Sequence, residues 1–234
     1  MKLTRETSNL NRLTRFGLIN CFLVGEDDGH TLVDTGLAGS APGIVAAIQG
    51  LGSSIRRVVV THAHLDHVGA LDEIARRCPG VSVAISQRES RLLRRDFSLD
   101  AGESGKKLIG FPGTRTAATI LLKDGDCVGS LRTVTCPGHT PGHTAFLDVR
   151  DGTLLAGDAF TTQTGVVAAG VFQFYFPFPW LFSWNKELAA ESAKRLRDLK
   201  PERLAVGHGG TMNSPGKAID KAVEVAFRQC RQKF

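Results

Sequence analysis

Between residues 61 and 67 the chain reads Thr61-His62-Ala63-His64-Leu65-Asp66-His67, which puts three of its seven histidines and an aspartate into one short run. The run follows the β-branched stretch 58–60 directly, so His62 and His64 sit on extended backbone. There side chains alternate with period two, and both imidazoles point to the same side. Asp66 and His67 then turn towards a neighbouring position. Imidazole and carboxylate are the ligands expected for zinc and comparable divalent ions, and a strand-end loop is where a rigid scaffold presents them. Partners follow downstream, each after an apolar strand candidate: Cys136-Pro137-Gly138-His139-Thr140-Pro141-Gly142-His143, Leu155-Ala156-Gly157-Asp158-Ala159 and Ala205-Val206-Gly207-His208-Gly209. Of the remaining histidines, His143 reads as a packed or hydrogen-bonded side chain, and His30, beside an Asp-Asp-Gly turn, as an exposed one.

The elements that must position these residues alternate. Residues 18–24, 31–33, 57–60 and 81–85 read as strands, with helical composition at 42–51, 70–78 and 89–96. After an irregular stretch, 97–114, further strands are expected at 117–122, 131–135, 145–149 and 153–156. The last two are joined through Arg150-Asp151-Gly152 as a hairpin. A helix is expected over 185–199 with Asn185 as its cap, then a strand at 204–206 and a final helix opened by Ser214-Pro215. Two sheets sharing a core and flanked by helices fit this order better than separate beads.

Composition sets wide bounds. At 234 residues, 42% apolar and 22% charged, the chain is expected to fold as one unit spanning residues 1–234. Twenty-nine basic against 23 acidic residues give +6, which admits anionic partners but does not favour nucleic acid. Five cysteines without paired spacing point to a reducing compartment, and the N-terminus lacks a secretory signal, so the cytoplasm is expected. Residues 166–184 are apolar over a membrane-spanning length, but Pro177 and Pro179 would break a helix there, and a crossing would separate the candidate ligands.

His-x-His-x-Asp-His, then His, Asp and His in that order, resembles the ligand pattern of the metallo-β-lactamase superfamily, and the likeness runs from Leu32-Val33-Asp34-Thr35-Gly36 to His208. The resemblance implies an α/β fold, a four-layer αββα sandwich with metals at one edge of the two sheets. It assigns His62, His64 and His139 to one ion, Asp66, His67 and His208 to a second, and Asp158 to the bridge between them. Asp34 would orient the site. Zinc is the first choice of metal, with iron or manganese as alternatives. A water bound to such ions drops in pKa from about 15.7 towards ~7, giving a hydroxide nucleophile, while the second ion polarises the carbonyl. Asp66 is the candidate for the proton transfer.

Asp158 narrows the substrate by the same resemblance, since true metallo-β-lactamases carry cysteine or serine there, while glyoxalase II and lactonase relatives carry aspartate. β-Lactam hydrolysis is therefore expected to be weak at most. His64 stands where flavodiiron relatives have glutamate. The 26 residues after His208 suffice for one helix and not for the glutathione-binding domain of typical glyoxalase II enzymes. The 49 residues from Ala159 to Gly207 leave no room for the cap of the RNA-processing relatives. Those 49 hold both tryptophans, the only tyrosine and five of the thirteen phenylalanines, within residues 172–184. Core burial, a substrate wall or lid, and a homodimer or membrane-surface contact are all open for this segment. Phe174, Tyr175, Phe176 and Trp180 are its candidate substrate contacts. An ester, lactone or thioester of a small apolar acyl group suits such a site. Acyl-homoserine lactonases, however, carry tyrosine three residues after the bridging aspartate, where this chain has Thr161, which leaves open whether Tyr175 reaches the site. Arg88, Arg91 and Arg95 with Arg94 read as a solvated helix face; as an anion site they would make a phosphodiesterase or ribonuclease the competitor. Iron in the same ligands would instead support persulfide oxidation.

Overall fold

A computed structural model describes residues 1–231. The first sheet has seven strands in sequence order: β1 (Lys2–Arg5), β2 (Leu10–Arg15), β3 (Ile19–Glu26), β4 (Gly29–Val33), β5 (Ile55–Val60), β6 (Ser82–Ser86) and β7 (Ile120–Leu122). Its first four strands are antiparallel neighbours, and β4 to β7 run parallel. The second sheet is built from β8 (Cys127–Val128), β9 (Leu131–Thr135), β10 (Thr144–Asp148), β11 (Thr153–Leu155), β14 (Arg203–Ala205) and β15 (Met212–Asn213), in the order β15-β14-β11-β10-β9-β8. Two short strands, β12 (Phe160–Thr161) and β13 (Val167–Ala168), pair beside it. The helices are α1 (Ala41–Gly50), α2 (Leu65–Val68), α3 (Leu71–Arg77), α4 (Gln87–Leu93), α5 (Phe178–Leu181), α6 (Lys186–Asp198) and α7 (Gly216–Arg231).

The layering follows from which side each strand residue faces. Along β5, Val58 and Val60 join the core under the first-half helices, with Ile44 of α1 and Ile74 of α3, while Val59 joins the core between the sheets. Leu32 and Val33 in β4, and Val83 and Ala84 in β6, divide in the same way. In the second sheet Ala145, Leu147, Leu154 and Leu204 face α6 and α7, while Phe146, Leu155 and Ala205 meet Phe22, Val33 and Val59 between the sheets. Strands with two apolar faces are covered on both. Helices, sheet, sheet, helices is the αββα order that the sequence led us to expect.

Several expectations shift by a residue or two, and some elements are new. The expected 145–149 strand lies at Thr144–Asp148, and its hairpin to β11 pairs Phe146 with Leu155. Asn185 caps α6, accepting from the Leu188 amide at 2.9 Å. Strands β1 and β2 carry too few apolar residues to stand out; Leu10 faces the inter-sheet core and Leu13 the helix side. The apolar 166–184 stretch is the short strand β13, irregular chain and the single turn α5, and no helix among the described residues is long and apolar enough to cross a membrane.

Candidate metal centre

The ligand-type residues lie at strand ends on one edge of the two sheets. Asp34 follows β4, the His62–His67 run follows β5, His139 follows β9, Asp158 follows β11 and His208 follows β14. His64 keeps extended backbone (φ −69°, ψ 155°) as α2 begins, so the period-two geometry carries through the loop. His62 Nε2 and His139 Nε2 each lie 3.0 Å from His64 Nδ1, and all three rings are buried. Three imidazole nitrogens converging in this way cannot all be satisfied by one another's protons. Zinc–nitrogen bonds of about 2.0–2.1 Å in a tetrahedral site separate ligand atoms by about 3.3 Å, so the trio is close to the size of a cation cradle.

A second group stands beside the first. Asp66 Oδ2 is 3.2 Å from His208 Nε2 and 3.9 Å from His67 Nε2. Asp158 faces both groups: Oδ1 lies 3.3 Å from His67 Nε2, and Oδ2 lies 3.2 Å from His208 Nε2, 3.5 Å from His139 Nε2 and 3.9 Å from His62 Nε2. His67 Nε2 and Asp158 Oδ1 are buried without a hydrogen-bond partner. Orphaned donor atoms of this kind are what a cation would satisfy. All seven expected ligands are thus brought together, as His62/His64/His139, Asp66/His67/His208 and a spanning Asp158, and the residues fit divalent metals.

The electrostatics divide along the same line. Burial pushes His62 and His139 well below the usual imidazole range, and His64 to about 4, so the trio offers neutral nitrogens. In the second group burial opposes the charges but loses. Asp158 is the strongest counterweight, holding His67 well above its ordinary value and His208 at about 10. Asp66 falls to about 2 against its burial, mainly through His67 and then His208, and Asp158 is held well below the carboxylate range by the same two imidazoles. Positive charge is thus favoured beside the two carboxylates, which is the role a cation would take there.

The group opens into a cavity of about 220 Å³ lined by His64, Asp66, His139, Asp158 and His208 on its floor. Its walls are apolar, with Leu18, Leu37, Leu65, Phe176, Phe178 and Phe182 among them, and among the described residues no lysine or arginine lines it. Of the aromatic residues singled out by sequence, Phe176 lines the cavity. Phe174 and Tyr175 do not; they stand 80% and 87% exposed. Trp180 lies under the Lys106 ammonium, 4.3 Å from ring centre to nitrogen, and meets Phe172 edge-on. Thr161 does line the cavity, but its hydroxyl donates to the His208 carbonyl at 2.8 Å.

A family model described as the metallo-beta-lactamase superfamily matches residues 14–208. This chain belongs to the metallo-β-lactamase superfamily. The uncharacterized protein YobT of Bacillus subtilis is 44% identical over 210 residues, covering 89% of this chain and 90% of its own. YflN of the same organism, described as a probable metallo-hydrolase, is 31% identical over 207 residues, 80% of this chain and 78% of its own. Among solved structures, a β-lactamase from Chitinophaga pinensis superposes with a TM-score of 0.70 at 24% identity, covering 98% of this chain and 92% of that one, a likeness of fold.

Around this superfamily core, other side chains aim the ligands. Asp34, left-handed at φ 59°, accepts from the Thr61 amide and hydroxyl, each at 2.8 Å, and from His67 Nδ1 at 2.8 Å. That fixes the His67 tautomer and turns Nε2 inward. Thr61 Oγ1 also takes the His62 Nδ1 proton at 3.0 Å, and the Leu18 carbonyl takes that of His208 at 3.2 Å. His143 is buried; its Nε2 accepts from the Asp158 amide at 3.1 Å while Nδ1 meets the Cys136 thiol. Burial lowers its pKa to about 3, so it stays neutral and props the Asp158 backbone. Gly207 is required by closeness, because a Cβ there would come within 2.3 Å of Asp158 Oδ1.

Sequence reasoning missed Glu89. It is fully buried, and its carboxylate accepts from the Ala63 amide (3.0 Å), the Gly142 amide (3.1 Å) and the Thr140 hydroxyl. Burial raises it to about 7 despite those three donors. Of the four arginines read as a solvated face, Arg94 and Arg95 are exposed, whereas Arg88 and Arg91 act as pins. Arg88 holds Glu103 through two 2.8 Å bonds, and Arg91 pairs with Asp96 and Asp100, anchoring the irregular segment whose Gly110 lines the cavity.

Proposed function

We propose that the chain is a dinuclear metal-dependent hydrolase of an ester, lactone or thioester bond in a small apolar acyl substrate, with zinc as the preferred ion. His62, His64 and His139 would hold one ion, Asp66, His67 and His208 the other, and Asp158 would span the two. Such ions supply a water of lowered pKa and an electrophile for the carbonyl oxygen. The observation that carries the substrate class is the cavity: apolar walls over a floor of histidines and aspartates, with no lysine or arginine among the described residues that line it. Phe176, Phe178 and Phe182 would pack an acyl chain and exclude water from the reacting carbonyl.

Proton handling falls to the aspartates. Asp66 lines the cavity and is held ionised, so it can accept the proton of the attacking water and return it to the departing oxygen or sulfur. Tyr175 stands in solvent and the Thr161 hydroxyl is engaged with a backbone carbonyl, so neither competes for that role. The pins made by Arg88 and Arg91 count against a phosphodiester site on that helix.

Metal content by mass spectrometry on protein purified without added metal, paired with turnover of lactones, aryl esters, thioesters and phosphodiesters, tests the reading. About two ions per chain with acyl turnover is the expected result. Phosphodiester turnover alone overturns the substrate class, and protein that takes up no divalent ion overturns the reaction.

A further inference from the structure

Glu89 lies outside the ligand set, yet it touches both segments that deliver the three-histidine group. Its Oε2 receives the amide of Ala63, the residue between His62 and His64. Its Oε1 receives the Thr140 hydroxyl, next to His139, and the Gly142 amide two residues further on. Ser86, which accepts the Glu89 amide at 3.2 Å, donates its hydroxyl to the Gly142 carbonyl at 2.6 Å. The fit is close enough that a Cβ on Gly142 would stand 2.6 Å from the Glu89 nitrogen. From the other side, Trp184 and Asn185 donate to the carbonyls of His139 and Gly138 at 3.0 and 2.8 Å, so the His139 loop is gripped between α4 and the start of α6.

A buried carboxyl is costly, and Arg88, the neighbouring cation, turns its guanidinium to Glu103 instead. An apolar residue would serve stability better unless the donors need an acceptor that only a carboxylate supplies. Three donors converge here from two loops distant in sequence, and a carboxylate has two oxygens with lone pairs for all of them. Resting on the metal-binding reading above, we infer that Glu89 is a positioning residue for the His62/His64/His139 group: it locks the two ligand loops at the spacing that closes around a cation, and leaves the Asp66/His67/His208 group unaffected.

Glutamine tests this sharply, because it keeps the shape and one oxygen but must turn its NH2 towards an amide donor, either Ala63 or Gly142. Zn(II) titrations against a chromophoric chelator, with Co(II) absorption reporting ligand geometry, are compared for wild type, Glu89→Gln, Thr140→Val and Thr140→Ser. In Glu89→Gln one of the two ions is expected to bind 10- to 100-fold more weakly, with an altered Co(II) spectrum and the other ion unchanged. Thr140→Ser keeps the hydroxyl and should behave as wild type; Thr140→Val should weaken the same ion. Should Glu89→Gln fail to fold, the two threonine variants decide. Unchanged affinity for both ions, equal weakening of both, or valine behaving like serine overturns the inference. Wild-type protein that binds no ion sinks the functional reading beneath it, and the two failures are thereby distinct.

Discussion

At the residue scale the ligands were open to sequence because their types are rare and their spacing local. Four donors within His62–His67 need only a strand and a turn to converge, and both are written in the same few residues. The supporting shell was not, because its meaning depends on what arrives from elsewhere. Ser86 and Glu89 carry the spacing of a helix capping box, and Ser86 does cap α4, but the glutamate side chain turns away to Ala63, Thr140 and Gly142. Its burial has a measurable consequence in metal-free protein. The ordinary carboxyl value is 4.5 and the folded value about 7, so between the two the folded chain holds a proton that the unfolded chain has lost. Stability therefore falls as pH rises across that window and levels off above it. The displacement amounts to about 3 kcal/mol, and Glu89→Gln lacks it. Urea denaturation with chelator present should show the stability of wild type minus that of Glu89→Gln dropping by about that amount from about pH 4.5 to 7.5. A difference that stays flat would mean the carboxyl ionises as it does in water.

Elements built on a clear period were placed well, and those defined by their neighbours were not. The inner strands announce themselves because both faces are apolar, whereas β1 and β2 lie towards one edge of the first sheet and carry polar and basic residues between Leu10 and Leu13. The aromatic segment was conspicuous in composition, but which rings face the cavity is decided by one helical turn. Phe178 opens α5 and Phe182 closes it, four residues apart, so both fall on one face, with centroids 6.3 Å apart. Phe174 and Tyr175 precede the turn and are left outside. The consequence is a split within one stretch of chain. Phe178→Ala should raise KM for medium-chain acyl substrates about tenfold, the worth of a lost aromatic wall, with a smaller effect on kcat. The double change Phe174→Ser with Tyr175→Ser should leave both constants within about twofold. Steady-state kinetics over a chain-length series reads both, and a large loss in the double variant would move the acyl chain to the outer rings.

Over the whole molecule, the two sheets are tied twice. The inter-sheet core takes Phe22, Val33, Val59 and Ala84 from the first and Phe146, Leu155 and Ala205 from the second, all buried. The candidate metal centre crosses the same boundary: His62, His64, Asp66 and His67 come from loops of the first sheet, and His139, Asp158 and His208 from loops of the second. Neither His62/His64/His139 nor Asp66/His67/His208 is complete with one half alone. The sequence pointed to a shared core through the absence of any linker and the alternation of its elements, but not to which residues form it, since that needs strand parity from both sheets at once. If the halves depend on each other in this way, they should unfold together. Both tryptophans, Trp180 and Trp184, belong to the second half, whereas far-UV circular dichroism averages over both. Tryptophan fluorescence and circular dichroism should therefore trace one coincident denaturation curve. Chelation should lower its midpoint, because ions that bind the folded chain stabilise it by mass action, and should leave the curve single, because the inter-sheet core does not depend on them. A fluorescence transition separated from the circular dichroism transition, with or without metal, would mean two independently folding units that the metal centre merely staples together.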